Sequence, residues 1–346
     1  MNNSENQFRI RRQLLKAAPA LALPAGLIAC SSPKKAESLV VGGLPVTCNM
    51  TLPVACAAKD ANNAANKSGE HASSFEYSKY SGWPEVKESL MSGRIHAAYV
   101  LAPMVMDLVA SNIPVKVVSL GHRSGAVIMV RTDSGHKRFQ DLKGKRVAIP
   151  SRFAVDLLFL RKMLAQEGMT IKDVELVEMP PPDMPAALYA KAIDAYCTGE
   201  PFGASAQLKG YATPLRMTRD EWPNYICCVL TVRDDLIANN RAVVQDLVNY
   251  VQSAGAWMDQ DPGHRDKAVA IAASKKYFNQ DPNILKFVMT NPIDRVTYGD
   301  LRIIPSEFDE LMQMSLAAGT LKKPVAFERY VDTSFFKAVQ RQTIAL

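Results

Sequence analysis

Strand-like and helix-like segments alternate along this chain in two successive sets, and that order restricts the architecture more than any single residue does. In the first set, residues 38–44, 75–80, 97–101 and 115–120 have the β-branched, aromatic or alternating character of strands. Residues 53–66 and 84–91 have helical composition, the second with a proline at its start. A further strand at 126–131 is reached through Gly121-His122-Arg123-Ser124-Gly125. The second set reads as a turn-helix at 138–142, a strand at 146–149 and a helix at 156–167 stopped by Gly168. A strand at 174–179 follows, then a helix at 184–191 with Asp183 as its N-cap. Next come a strand at 195–198, a helix at 202–208 stopped by Gly210, and a strand at 212–217. A long apolar strand is expected at 225–232. Beyond it the chain reads as mostly helical, from a helix at 241–259 with Val244, Leu247, Val248, Val251, Ala254 and Met258 on one face to a last helix at 333–340. Such alternation predicts an α/β protein with mainly parallel sheets clothed by helices. In that architecture ligands sit beyond the carboxyl ends of strands, often between domains. A chain of 346 residues has room for two lobes.

Composition narrows the function classes. With 48% hydrophobic and 22% charged residues the chain can bury a real core, which excludes extended disorder. Six cysteines are too few for a disulfide scaffold. The net charge of +7 is spread along the chain after its first residues, so nucleic acid is not an expected partner.

Residues 1–29 read as an export signal. Arg9, Arg11, Arg12 and Lys16 form a basic start, and an Ala/Leu/Pro run from Ala17 to Ala29 follows. That run is too short to span a hydrocarbon core of ~30 Å. Arg11-Arg12-Gln13-Leu14-Leu15-Lys16 resembles the twin-arginine export motif, with Ile10 and Leu14 departing from its usual residues, so the general secretory route stays open. Leu27-Ile28-Ala29-Cys30 resembles a lipobox, which makes Cys30 the lipidation site and residues 30–37 a polar tether. The expected location is periplasmic or extracytoplasmic, anchored to the membrane through Cys30. Outside the cytoplasm disulfides become available, but a helix start between Cys48 and Cys56 would hold that pair apart. Cys227 and Cys228 lie in an apolar run where buried thiols are expected. No Cys/His spacing in the sequence matches a zinc motif.

Several short motifs occur in register. They are Gly82-Trp83-Pro84-Glu85-Val86-Lys87, Gly93-Arg94-Ile95-His96-Ala97-Ala98 and Leu101-Ala102-Pro103-Met104, followed by the stretch from Asp141-Leu142-Lys143-Gly144 to Pro150. Pro180-Pro181-Pro182-Asp183-Met184 and Ile193-Asp194-Ala195-Tyr196-Cys197-Thr198-Gly199-Glu200-Pro201 continue the series. Together they resemble the nitrate/sulfonate/bicarbonate class of ABC-importer substrate-binding proteins, over roughly residues 39–261. The resemblance implies a two-lobed type II periplasmic binding fold with a ligand cleft between the lobes. Lobe one would hold residues 38–130 and 230–346, and lobe two residues 131–229. It implies a monomer that closes over a small solute and delivers it to a permease driven by an ATPase.

A cleft for small anions needs donors. Ser151 follows a strand and precedes a helix, where it either meets an oxyanion or caps that helix. Trp83 matches a pocket tryptophan of the resembling nitrate binders; an indole supplies an N–H and a flat wall, while the alternative is packing under a loop. His122 and Arg123 sit at the first crossing between lobes and either complement an anion or serve as a structural histidine and a hinge ion pair. Thr47 and Cys48 follow the first strand, where this fold contacts ligand. Glu200 bears on solute identity: bicarbonate-type relatives carry an acid at the matching place that works with a cation, so Ca²⁺ is a candidate companion there and no other metal or cofactor is expected. The resembling nitrate binders have a histidine where Ala154-Val155-Asp156 stands and a glutamine where Ala126 stands. The alternative to a buried cation partner is a structural carboxylate. With no nucleophile elbow, P-loop or clustered catalytic residues in the sequence, an enzyme is not expected. Two other readings of the same fold are an aromatic-heterocycle binder with Trp83 and Tyr225 as stacking walls, and an exported enzyme or ligand sensor.

Overall fold

Two five-stranded sheets are built in turn, and the chain passes between them twice. The computed structural model describes residues 38–66 and 73–346. The signal, the lipobox with Cys30 and the tether lie outside the described residues. In chain order the elements are β1 (Ser38–Gly43), α1 (Thr51–Ala65), β2 (Ser74–Lys79), α2 (Trp83–Met91), β3 (Ala97–Leu101), α3 (Ala102–Ala110), β4 (Val115–Leu120), β5 (Arg123–Ser124) and β6 (Ala126–Arg131). There follow β7 (Arg146–Ile149), α4 (Val155–Gln166), β8 (Glu175–Glu178), α5 (Met184–Tyr189), β9 (Ala195–Gly199), α6 (Phe202–Leu208), β10 (Ala212–Met217) and α7 (Thr218–Glu221). The remainder is β11 (Cys228–Arg233), α8 (Asp234–Asn239), α9 (Arg241–Gln260), α10 (Pro262–Ala273), α11 (Pro282–Thr290), β12 (Val296–Thr297), α12 (Pro305–Ala317), α13 (Phe327–Tyr330) and α14 (Thr333–Lys337).

The first sheet has the order β2-β1-β3-β11-β4 and the second β10-β6-β9-β7-β8. β1 runs parallel to β2 and β3, and β7 parallel to β8 and β9, so the carboxyl ends of these strands gather on one edge of each sheet. β3 is buried at all five residues, as expected of a strand covered by helices on both faces. Residues 121–125 lead out to the second sheet, and residues 218–227 lead back. The two crossings run side by side: the Ser124 N–H donates to the Tyr225 carbonyl at 3.1 Å, and the Gly121 N–H to the Cys228 carbonyl at 3.2 Å. The outward crossing bends at Ser124 (φ 60°) and Gly125 (φ 101°), and at Gly125 only a glycine avoids strain.

Several expected boundaries move. β6 pairs with β9 and β10 in the second sheet. Cys228 and Val229 pair with β3 in the first sheet. The expected strand at 225–232 shortens at its start, because residues 225–227 belong to the return crossing. Asp183 makes no side-chain cap: it already has helical dihedrals (φ −86°, ψ −20°) as the last residue of a 3₁₀ turn. The last helix ends at Lys337. Among the described residues no helix is long and apolar enough to cross a membrane.

Candidate functional site

The segment after β1 folds into a 3₁₀ turn at Thr47–Asn49 and then α1. It carries Thr47 and Cys48 to the strand ends of the second sheet. The Thr47 N–H and hydroxyl both donate to the Glu200 carbonyl, at 2.8 and 3.1 Å. The Tyr298 hydroxyl donates to the Thr47 carbonyl at 2.8 Å. Beside this contact Gly199 ends β9 so close to Cys48 that a Cβ there would lie 3.1 Å from the Cys48 Sγ. The two sheets thus meet through their strand ends at Cys48.

Three further residues arrive at Cys48 from the crossings. One donor atom each of Cys48, His122, Cys227 and Cys228 lies within 4.8 Å of the other three. All four residues are buried. Cys227 Sγ and Cys228 Sγ are 3.8 Å apart, and the Cys228 N–H points to His122 Nε2 at 3.4 Å. Asp156, in the first turn of α4, is buried and electrostatically coupled to Cys227 and Cys48. Burial, with Cys227 and Cys48 nearby, holds the Tyr225 hydroxyl well above its ordinary range. Within the described residues, His122 Nδ1, the Asp156 Oδ1 and the Tyr225 hydroxyl have no hydrogen-bond partner. Thiol hydrogen bonds from Cys227 and Cys228 lower the Cys48 thiol to about 6. Burial, together with the nearby Cys227, holds the Asp156 carboxyl well above the usual carboxylate range. This set is the chemically richest place in the described chain: three thiols and an imidazole, with a carboxyl and a phenol alongside.

Of the residues expected in the cleft, Thr47, Cys48 and His122 come together here, while others take different tasks. Arg123 is 2% exposed and all its donors are engaged. Nε donates to the Asp300 carbonyl, Nη1 to the Asn224 carbonyl and Glu307 Oε1, and Nη2 to the Arg302 carbonyl and Glu307 Oε2, at 2.7–3.1 Å. Arg123 thus forms the ion pair with Glu307 that was the alternative reading for it. Glu200 is fully buried; its Oε1 lies 3.3 Å from the Nε of the equally buried Arg295, and its Oε2 accepts the Ala204 N–H at 2.8 Å. Burial still raises its carboxyl above the ordinary range, against the pull of Arg295. The Arg295 guanidinium thus lies beside the Glu200 carboxylate as a cationic partner. Ser151 is buried and accepts the Phe153 N–H at 3.2 Å, but it does not cap α4, whose N-cap is Ala154. Trp83 opens α2 and is buried in the apolar core.

Sequence spacing did not reveal the thiol–imidazole set, because its members come from the end of β1, the outward crossing and the return crossing. The adjacent Cys227-Cys228 at the start of β11 was its one local sign. Soft donors of this kind suit a thiophilic cation and not Ca²⁺, which takes oxygen ligands. Two described grooves of about 620 Å³ each lie elsewhere. One is lined in part by Tyr189, Phe202, Lys209 and Asp281, the other by Tyr80, Glu85 and Arg94.

The model of the NMT1-like family matches residues 32–273. The chain is 27% identical over 253 residues to the nitrate/nitrite binding protein NrtA of Synechococcus elongatus, which covers 65% of this chain and 56% of that protein. It therefore spans little more than half the length of that relative. Among solved structures, the ligand-binding component of an ABC-type import system from Staphylococcus aureus, with zinc bound, is 27% identical with a TM-score of 0.78, covering 88% of this chain and 100% of that one. The periplasmic nitrate-binding protein NrtA from Synechocystis has a TM-score of 0.76 at 17% identity, covering 88% of each chain, and shows the shared fold.

Proposed function

The chain belongs to the NMT1-like family, and from that premise we propose that it is the extracytoplasmic solute-binding component of an ABC importer, taking a small oxyanion or oxyanion-bearing solute of the nitrate, bicarbonate or sulfonate class. The observation that carries the reading is the joint one of relationship and topology. A named nitrate/nitrite binding protein is related over 253 residues, and two sheets present their strand ends to each other across paired crossings. Paired crossings let two lobes swing apart about a short axis while each stays folded. A solute touching both lobes favours the closed form and shifts the population toward it. No bond is made or broken in this cycle. Thr47, whose N–H and hydroxyl bind the Glu200 carbonyl across the seam, closes one side of the proposed cleft. Ser151 and Trp83 are the other proposed walls. The closed form is the one presented to a permease and its ATPase, and Cys30 supplies the lipid anchor.

Titration calorimetry and thermal shift against nitrate, nitrite, bicarbonate with and without Ca²⁺, taurine and alkanesulfonates test the reading. One member of that panel should bind at a one-to-one ratio and raise the melting temperature. Silence across the whole panel removes the oxyanion reading.

A further inference from the structure

We propose that Cys48, His122, Cys227 and Cys228 bind one soft d¹⁰ cation, of which Zn²⁺ and Cu⁺ are the probes, at the floor of the seam between the two lobes. This inference rests on the four side chains and stands whether or not the protein serves an importer of oxyanions.

The donor set is complete for such an ion. Three thiols and an imidazole form the Cys₃His combination of closed tetrahedral zinc sites. With Zn–S bonds of ~2.3 Å, two sulfurs on adjacent corners of a tetrahedron stand ~3.8 Å apart. Cys227 Sγ and Cys228 Sγ stand 3.8 Å apart. The four donor atoms fall within 4.8 Å, so drawing all of them to one ion needs displacements of about 1 Å or less, within reach of side-chain rotation. A disulfide between Cys227 and Cys228 would need a much larger approach, to ~2.05 Å. Plain packing of buried thiols leaves one nitrogen of the fully buried His122 imidazole, Nδ1, without a partner among the described residues. All three sulfurs bind as thiolates, and each cysteine still protonated gives its proton to solvent as its metal–sulfur bond forms.

Location gives the ion a mechanical role. Cys48 follows β1, His122 lies on the outward crossing, Cys227 ends the return crossing and Cys228 opens β11. One ion would tie all three segments at the axis about which the lobes move. Gly199 of the second lobe lies against the Cys48 side of the cluster. The ion therefore enters when that lobe swings away, and is enclosed when it returns.

The test uses the full chain, reduced and stripped with a chelator. It is titrated with Zn²⁺ against a chromophoric competitor and, in a separate anaerobic arm, with Cu⁺. X-ray absorption is then recorded on the loaded wild-type protein. The expected result is one tightly held equivalent of at least one ion, in a shell dominated by sulfur. Cys48→Ser, Cys227→Ser and Cys228→Ser each lower the affinity by at least ~100-fold, the upper range already seen for second-shell changes. Cys56→Ser, a buried thiol in α1, leaves it unchanged. Absence of a tight equivalent of either ion overturns the proposal. So does a shell of nitrogen and oxygen alone, or an equal loss in Cys56→Ser. If the cluster variants do not fold, the wild-type shell alone decides.

Discussion

The Thr47 N–H and hydroxyl converge on a single acceptor, the Glu200 carbonyl oxygen, at 2.8 and 3.1 Å across 153 residues of sequence. Thr47 follows the first strand of the first sheet, and Glu200 follows β9 of the second. The contact joins the carboxyl ends of two parallel-strand systems, which is where an α/β protein places its ligand. Tyr298 holds Thr47 from behind through its carbonyl, and the Glu200 N–H donates to the Gly125 carbonyl at 2.8 Å on the outward crossing. One polar latch therefore connects both lobes, a crossing and the C-terminal segment.

Thr47→Val keeps the β-branched shape and the backbone donor but removes the hydroxyl. A buried hydrogen bond of this kind contributes about 1 kcal/mol. Urea unfolding should show that loss, with a melting temperature lower by about 2 °C. If the latch belongs to the closed form, the affinity for the solute falls about fivefold as well. An unchanged unfolding midpoint would show that the hydroxyl contributes nothing at this seam.

The architecture was legible because buried strands announce themselves locally. Residues 97–101 are a short apolar run, and the structure makes them the fully buried β3. Gly168, read as the stop of a helix, has φ +68° just beyond α4. What stayed hidden depended on strand order. Residues 225–227 are as apolar as the strand that follows, so hydropathy could not separate a crossing from a strand; only the pairing of Cys228 with Leu101 does so. The same holds for the site. Arg123 reads equally well as an anion ligand or an ion pair until Glu307, 184 residues away, is placed against it. Cys48 and Cys227 have no spacing in common with any metal motif, yet the β1-β3-β11 neighbourhood brings them together.

Arg123→Met should destabilise the fold and leave the solute contacts intact. The substitution strands Glu307 and the backbone carbonyls of Asn224, Asp300 and Arg302. Breaking a buried pair from one side costs about 3–5 kcal/mol, and the partial exposure of Glu307 places this one near about 3 kcal/mol. Denaturant unfolding measures it. Near-wild-type stability with abolished solute binding would return Arg123 to the role of anion ligand.

Gly121→Ala tests the close approach at the start of the same crossing. A Cβ there would lie 2.4 Å from a ring carbon of Tyr99 and 2.9 Å from the Cys48 carbonyl oxygen. The Tyr99 hydroxyl is paired with Thr51 at 2.7 Å, and the Cys48 carbonyl is backbone, so neither yields cheaply. Overpacking of this kind costs about 1–3 kcal/mol. Thermal unfolding should report that loss, and a melting temperature equal to that of the wild type would mean the crossing is looser than the structure describes.

Glu200 and Arg295 are both almost fully buried, at 3.3 Å, and this pair decides whether the acid serves the fold or the solute. Gly203 makes room for it: a Cβ there would meet Glu200 Oε1 at 3.0 Å and Val127 at 2.4 Å. Glu200→Gln keeps the volume and can still accept the Ala204 N–H, but it leaves the Arg295 charge unpaired in an apolar setting. Removing one partner of a buried pair is expected to cost about 3–5 kcal/mol. Arg295→Met alone strands the carboxylate and should cost about as much. The two losses should not add: with both charges gone neither is left unpaired, and the double variant regains part of the stability, a coupling within the range of about 0.5–3 kcal/mol seen for residues in contact. Urea unfolding of the three variants closes the cycle. Additive losses would deny the pair, and a Glu200→Gln protein of full stability that no longer responds to solute would place the carboxylate in the binding site after all.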